Sequence, residues 1–70
     1  MAIILTTRLG NEDQVQSSHE TLGELFRAIK RLEHEHGWVF EAPADIDGVS
    51  YGTFVSLNAG VKGVYTMRDA

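Results

Sequence analysis

The sequence predicts a two-layer α+β domain, in which one amphipathic helix packs on a mostly antiparallel sheet of four or five strands. The first observation is an apolar period of three and four residues between Thr21 and Gly37, which is typical of a helix with one face on a core. The second is the set of alternating apolar segments on both sides of it. The third is the turn chemistry between the last strands, which favours antiparallel pairing. The expected order is strand, short optional strand, helix and three strands, in one domain over residues 1–70.

The helix should begin after Thr21 and end at Gly37. Thr21 and Glu24 have the spacing of a capping box, although Ser17 and Glu20 offer the same pattern four residues earlier. We prefer Thr21 because the apolar period starts at the next residue. Gly37 accepts the left-handed conformation that commonly follows a helix. The apolar stripe of this helix consists of Leu22, Leu25, Phe26, Ile29 and Leu32.

The opposite side of the helix carries a basic ridge formed by Arg27, Lys30, Arg31 and His34. A solvated surface with helical ion pairs is the simplest interpretation of this ridge. A docking surface for an acidic partner is the alternative. Glu33 is unusual because its angle places it within the apolar stripe, where a buried carboxyl would have a raised pKa and would be a site candidate. Near the helix end, however, Glu33 can also reach water.

The strands are predicted from alternation and turn residues. An apolar run that faces both ways makes 2–8 a central strand, whereas 14–18 is either a short strand or a loop. The segment 45–48 is interpreted as a turn, with Asp47-Gly48 as a hairpin signal, and 58–60 as a short hairpin loop. The remaining strands are predicted at 38–42, 49–57 and 61–67.

One face of this sheet should remain uncovered by the helix. We expect it to expose the apolar side chains of Phe54, Val64 and Val39. Gly52 and Gly63 lie inside predicted strands, where glycine marks a bulge or a close approach of another group. An exposed apolar face or a bare edge strand is where so small a domain would meet a partner.

The charges are segregated along the chain, and the net charge is −4. With histidine counted as neutral, residues 9–26 contain four acids and no lysine or arginine, residues 27–31 contain three basic residues and no acid, and residues 33–47 contain five acids and no lysine or arginine. Nucleic-acid-binding domains are usually basic, so we expect no direct binding to nucleic acid. Acidic segments around a basic ridge favour contact with another protein.

The absence of cysteine excludes a disulfide framework and a thiolate metal site. The apolar runs are too short for a membrane span or a signal peptide. We therefore expect no association with a membrane and a cytoplasmic location.

No residue pattern points to catalysis, to a metal or to a cofactor. His34 and His36 lie two residues apart, so on a helix they point in nearly opposite directions and cannot share a metal ion. Nothing in the sequence positions His19 as a further metal ligand. Ser17, Ser18 and His19 lack the surroundings of a nucleophile, and we interpret the serines as helix-capping residues. We therefore expect a protein that is not an enzyme and that has no metal or cofactor.

These observations favour a non-catalytic protein-binding module. By analogy with other small acidic proteins, the best hypothesis is an accessory protein of a phage or mobile element that inhibits or modulates a nucleic-acid-processing complex of the host-defence type. Its acidic residues would occupy a basic surface of that complex, and a homodimer is one option. The partner-binding candidates are the acids Glu12, Asp13, Asp45 and Asp47 and the bases Arg27, Lys30 and Arg31.

Two alternatives stay open at this point. One is a small-molecule binder or small oligomeric enzyme whose pocket lies at a subunit interface and uses Tyr51, Tyr65, Glu33 or His36; of the aromatic residues, the two tyrosines are expected to show a hydroxyl at the surface. The other is a structural assembly subunit that associates through an edge strand.

Overall fold

The computed structural model describes residues 2–70 and consists of one antiparallel sheet with a single helix on one face. The predicted fold class is therefore confirmed, with one strand more than expected. Along the chain the elements are β1 (Ile3–Leu9), β2 (Val15–His19), α1 (Leu22–His36), β3 (Trp38–Phe40), β4 (Ala44–Ile46), β5 (Val49–Ser56) and β6 (Val61–Asp69).

The strands follow the spatial order β2-β1-β6-β5-β3, and β4 pairs with the part of β5 that β3 leaves free. All neighbours are antiparallel, including the first and last strands, in which Leu5 pairs with Met67. The sheet thus has β2 at one edge, and β3 and β4 in succession at the other. Across residues 2–70, no helix is long and apolar enough to cross a membrane.

The helix begins and ends where its local signals predict. The Thr21 hydroxyl accepts a hydrogen bond from the N–H of Glu24 at 3.2 Å, and the Glu24 carboxylate accepts one from the N–H of Glu20 at 2.9 Å. Gly37 has φ +67° and donates its N–H to the carbonyl of Glu33 at 3.0 Å. Both ends of the helix therefore have partners for backbone groups that the helix itself leaves unpaired.

The segment before the helix is a strand, because β2 pairs with β1 along its whole length. Ser17 lies in the middle of this ladder opposite Leu5, and Ser18 lies opposite Ile4. The interpretation of these serines as helix-capping residues is therefore wrong. A helix cap needs a residue at the helix entry, and that position belongs to Thr21.

The core lies between α1 and the strands β1, β5 and β6. Leu5, Leu25, Phe54 and Tyr65 are buried there, and the side chains of Ile29, Leu32 and Trp38, among others, pack around them. The expectation that Phe54 is exposed is wrong, since its exposed fraction is 0 %. Alternation places it on the helix side of β5, opposite Gly63 on β6, and the missing side chain of that glycine makes room for the aromatic ring.

The uncovered side of the sheet, which we call the open face, exposes Val39, Tyr51 and Val64. The expected exposure of Val39 and Val64 is thus confirmed, as is that of Tyr51. The same expectation for Tyr65 is wrong. Tyr65 points into the core, is 3 % exposed, and donates its hydroxyl proton to the carbonyl of Glu41.

The segment expected to be a turn contains the additional strand β4. Asp45 pairs with Ser50 within that strand, so the predicted turn is too long. The turn itself is formed by Asp47 and Gly48, whose φ angles are +52° and +81°. This pair of left-handed residues fits the two-residue hairpin that Asp-Gly predicts.

The apolar stripe of α1 is only partly docked on the sheet. Leu25 is fully buried, whereas Leu22 and Phe26 in the first half of the helix are 58 % and 55 % exposed. They line a groove beside Met67 at the end of β6. The helix therefore covers the centre of the sheet and leaves apolar surface at its flanks.

Candidate protein-binding cleft

A cleft of about 640 Å³ separates α1 from the β1–β2 hairpin, and we call it the β2 cleft. The sheet contributes Leu5, Thr7, Leu9, Val15, Ser17 and His19 to its lining. The helix contributes Ala28, Arg31, Leu32 and His36. Trp38 and Ser56 also line it, and the exposed side chains of Glu12 and Asp13 lie at its rim.

The cleft follows from strand alternation and from where the helix rests. Successive side chains of a strand point to opposite faces, so Val15, Ser17 and His19 all face the helix side of the sheet. Leu25 packs with core residues of β1, β5 and β6, and a space lined by side chains of both α1 and β2 remains between the helix and this edge of the sheet. Val15 remains 63 % exposed although it faces the helix side.

The rim of the cleft is charged at the end near the β1–β2 turn. The N–H of Glu12 donates to the carbonyl of Leu9 at 3.0 Å, and the side chain of Arg8 donates to the carbonyl of Glu12 at 3.2 Å. These bonds hold the turn that carries Glu12 and Asp13. Arg31 reaches the same cleft from the helix, so the cleft is lined by two carboxylates and one guanidinium.

The helix terminus contributes to the same end of the cleft. His36, in the last turn of α1, stacks on Trp38 with ring centroids 4.9 Å apart. The carbonyl groups at a helix C-terminus carry partial negative charge. A cationic group of a ligand is therefore favoured at this end, next to Glu12 and Asp13.

Ser17 and His19 form a hydrogen-bonded pair within the cleft, with 2.8 Å between Oγ and Nε2. The sequence analysis missed this contact because it left 14–18 open between a short strand and a loop and interpreted the serines as helix-capping residues. In a strand, residues two apart lie on the same face, so a strand prediction for 14–18 would have revealed it. The pair offers a ligand both a donor and an acceptor. Within residues 2–70, no three histidine, aspartate or glutamate side chains are grouped so that they could hold a metal ion.

The acidic candidates do not lie together. Glu12 and Asp13 are at the cleft rim, in the turn that follows β1, whereas Asp45 lies in β4 and Asp47 in the β4–β5 turn. β6 separates these places, since its start pairs with the end of β1 and its final third pairs with the start of β5. Asp45 is engaged locally, as its carboxylate accepts a hydrogen bond from the hydroxyl of Ser50.

The basic candidates are also divided. Arg31 lines the cleft, whereas Arg27 and Lys30 are exposed on α1 outside it. The structure therefore brings Glu12, Asp13 and Arg31 into one site and leaves the other candidates elsewhere.

The four residues of the small-molecule alternative do not converge within one chain. Tyr51 is on the open face, Tyr65 is in the core, Glu33 is half-buried on the helix, and His36 lines the cleft. Burial raises the pKa of the Tyr65 hydroxyl, and the negative charge of the nearby Glu41 carboxylate raises it further.

The hydrogen bonds between β1 and β6 show which backbone groups of β1 face each neighbour. The N–H of Ala70 donates to the carbonyl of Ala2 at 2.9 Å, and the N–H of Gly10 donates to the carbonyl of Lys62 at 3.1 Å. Residues of an antiparallel strand bond alternately to one side and the other, so the even-numbered residues of β1 bond to β6. The odd-numbered residues, Ile3, Leu5 and Thr7, therefore bond to β2.

The outer edge of β2 is consequently free at Gln16 and Ser18. The three odd-numbered residues of β1 pair with Val15, Ser17 and His19, whose N–H and carbonyl groups are thus used inside the sheet. The N–H and carbonyl groups of Gln16 and Ser18 point outward. Within the part of the chain that the structure describes, no strand covers this edge.

Comparisons with protein-family models, with curated proteins and with solved structures found no match.

Proposed function

We propose that this protein is a non-catalytic module that binds another protein in the β2 cleft. The observation that carries the proposal is the cleft itself, an apolar surface with a charged rim that lies open beside an edge strand. Val15, at 63 % exposure, is the most exposed of the large apolar side chains that line it. Uncovered apolar surface rimmed by polar groups is typical of protein interaction sites.

The surroundings of the cleft support a protein as the ligand. Leu22 and Phe26 expose further apolar surface on the other flank of the same helix. A partner that covers the cleft and continues over α1 would bury both regions and would meet Arg27 and Lys30 on the way. An interface with an apolar centre and a charged rim is the usual anatomy of a protein–protein contact.

A small-molecule binder is the second candidate function, and its support is the volume of the cleft. A volume of about 640 Å³ lies within the range of ligand pockets, roughly 300–1,000 Å³. The hydrogen-bonded pair of Ser17 and His19 would supply the few polar groups that orient a ligand in such a pocket. The cleft is open along β2, however, whereas pockets for small ligands bury most of the ligand surface.

The narrower hypothesis, an accessory protein of a phage or mobile element that inhibits a nucleic-acid-processing complex, stays a prediction. The net charge of −4 and the position of Glu12 and Asp13 at the cleft rim support a basic partner. Because Asp45 and Asp47 lie elsewhere, only a large partner would meet all four acids. The cytoplasmic location also stays a prediction.

Site-specific photo-crosslinking tests the proposal. A photoreactive amino acid is placed at Val15 in the cleft, and in a matched variant at Val64 on the open face, which is 54 % exposed. We expect the cleft variant to yield one defined protein adduct in cells of the natural source, and the purified partner to reproduce that adduct. Equal adducts from both positions, or an adduct from Val64 alone, would contradict the proposal.

A further inference from the structure

We infer that the bound segment of the partner is an extended strand that adds to the free edge of β2 and directs alternate side chains into the β2 cleft. This inference rests on the proposed function and specifies its binding mode. It is drawn from three features: the free backbone groups, the difference between the two sheet edges, and the charge at one end of the cleft.

The outer edge of β2 carries free backbone groups. Gln16 and Ser18 offer two N–H donors and two carbonyl acceptors that point away from the sheet, as the ladder between β1 and β2 requires. Such a row of unpaired groups is a template for another strand, and proteins use it to capture extended peptides. An added strand would lie about 4.8 Å from β2.

The two sheet edges differ in how well they resist such pairing. One edge is divided into β3 and β4, of three residues each, and Pro43 lies between them. Short strands and proline are the means by which edges avoid unwanted partners. β2 has neither, because Val15–His19 pairs with β1 without interruption and contains no proline, lysine or acid. Among the strands of residues 2–70, only β2 therefore offers a continuous, unprotected edge beside a cleft.

The geometry of strand addition decides which partner side chains enter the cleft. Partner residues opposite Gln16 and Ser18 form the backbone hydrogen bonds and point to the open face. Partner residues opposite Val15, Ser17 and His19 point to the helix side, where the cleft lies. Successive residues of the partner strand therefore alternate in role: one bonds to the backbone of β2, and the next places its side chain in the cleft.

The cleft lining defines the chemistry of the partner strand. Its apolar part, with Leu5, Leu9 and Leu32, favours aliphatic side chains at alternate positions. Glu12 and Asp13 favour a basic residue at the end of the segment nearest to Val15. If the partner strand runs antiparallel to β2, as neighbouring strands do in the rest of the sheet, this basic residue lies at the C-terminal end of the segment. The expected segment is therefore of the type VTVTVTR.

The test uses the acetylated and amidated peptide VTVTVTR as the probe, with binding followed by amide NMR shifts of the whole protein. We expect a dissociation constant below about 1 mM, with shifts at Gln16, Ser18 and the cleft residues. In the antiparallel register, N-methylation at the second or fourth position removes a donor that faces β2, and should weaken binding about tenfold or more. N-methylation at the third position removes an outward donor and should change the affinity less than about twofold.

Variants of β2 separate this inference from the proposed function. Gln16→Pro removes an outward donor without removing a bond to β1, so it should keep the fold and weaken peptide binding about tenfold. Gln16→Val keeps the donor and is the matched control. If Gln16→Pro leaves the crosslinked partner of Val15 bound with unchanged affinity, strand addition is overturned while the proposed function stands.

Two further results would overturn the inference. The first is equal loss of affinity for peptides methylated at the third and fourth positions, or no binding at millimolar peptide. The second is a dimer, detected by sedimentation as a function of protein concentration, that Gln16→Pro dissociates. That dimer would identify a second copy of this chain as the occupant of the edge.

Discussion

The ring of Phe54 lies over Gly63 of the neighbouring strand, so a fully buried aromatic side chain of the sheet rests where its cross-strand partner has no side chain. A Cβ atom at Gly63 would lie 2.7 Å from the carbonyl oxygen of Arg8 on the other side. Two residues along the same pair of strands, the ring of Tyr65 on β6 lies over Gly52 on β5 in the same way. An aromatic ring that covers a glycine in the adjacent strand stabilises both the register and the core. The core under α1 therefore depends on two glycines that alternate with two aromatic residues.

This relationship predicts that Gly63→Ala destabilises the protein. The added methyl group meets both a ring and a backbone carbonyl, so the overpacking should lower the free energy of unfolding by about 1–3 kcal/mol. Gly23→Ala in α1 is the matched control, because the nearest neighbour of the added Cβ atom would be the Thr21 hydroxyl oxygen, at an ordinary contact distance of 3.8 Å. Alanine there should be neutral or stabilising by up to about 1 kcal/mol. Urea unfolding of both variants measures the difference, and equal stability of the two would contradict the packing described for Phe54.

Tyr65 predicts a loss of stability at alkaline pH. Its pKa is raised in the folded protein, so above about pH 10 the unfolded chain loses this proton while the folded protein retains it. Stability from this group is therefore complete below pH 10 and falls as the pH rises through the folded pKa. Tyr65→Phe should be about 1 kcal/mol less stable near neutral pH, because it leaves the Glu41 carbonyl without its donor.

The difference between wild type and Tyr65→Phe should therefore shrink as the pH rises above 10. Urea unfolding at a series of pH values follows it, in a Tyr51→Phe background so that no other tyrosine titrates. A difference that stays constant up to pH 11 would show that the hydroxyl of Tyr65 is not held in its protonated form by the fold.

The helix cap predicts that removing the hydroxyl of Thr21 lowers stability more than removing the hydroxyl of Ser17. Thr21→Ala removes the acceptor for the N–H of Glu24 and should cost about 1 kcal/mol of stability. Ser17→Ala, at the position of the alternative capping box, should cost less than about 0.5 kcal/mol because Ser17 lies exposed in β2. Thermal unfolding by circular dichroism compares the two, and a larger effect of Ser17→Ala would contradict the observed helix start.

The charged rim predicts that neutralising its two acids weakens partner binding more than neutralising two acids elsewhere on the protein. Glu12→Gln with Asp13→Asn should weaken binding of the crosslinked partner about tenfold at low salt, with a smaller effect at high salt. The control pair, Asp45→Asn with Asp47→Asn, removes the same charge from the distant hairpin and should change affinity less than about twofold. Titration calorimetry measures both pairs. Equal effects of the two pairs would indicate a general electrostatic attraction instead of a contact at the cleft.

The helix could be predicted from the sequence to the residue, because its signals are local. Thr21, Glu24 and Gly37 act within a few residues of the helix ends, and the apolar period lies between them. The Asp47-Gly48 turn was predictable for the same reason, since both residues adopt the left-handed conformation that the dipeptide favours.

The burial of Phe54 could not be predicted in this way, because it depends on pairing between strands. The two faces of β5 are both partly apolar, and the face with more apolar residues proved to be the open one. Gly52 and Gly63 identify the buried face, but only once the register places them opposite the two aromatic rings.

The cleft escaped prediction because β2 has one apolar residue, Val15, and so shows no alternation. Its strand conformation comes from the ladder with β1, a contact between segments that share no local signal. Glu12 and Asp13 were recognised as candidates from their charge. Their neighbours in the site, Ser17, His19 and Arg31, are joined to them by the tertiary structure alone.

Amide hydrogen exchange, measured with and without the partner identified by crosslinking, shows whether a partner strand adds to β2. In the free protein, the N–H groups of Gln16 and Ser18 should exchange fast, whereas those of Ser17 and His19 are bonded to β1 and should exchange slowly. Binding of the partner should slow Gln16 and Ser18 specifically. Unchanged exchange at these two residues, with new protection confined to the open face around Val64, would contradict a partner strand along β2.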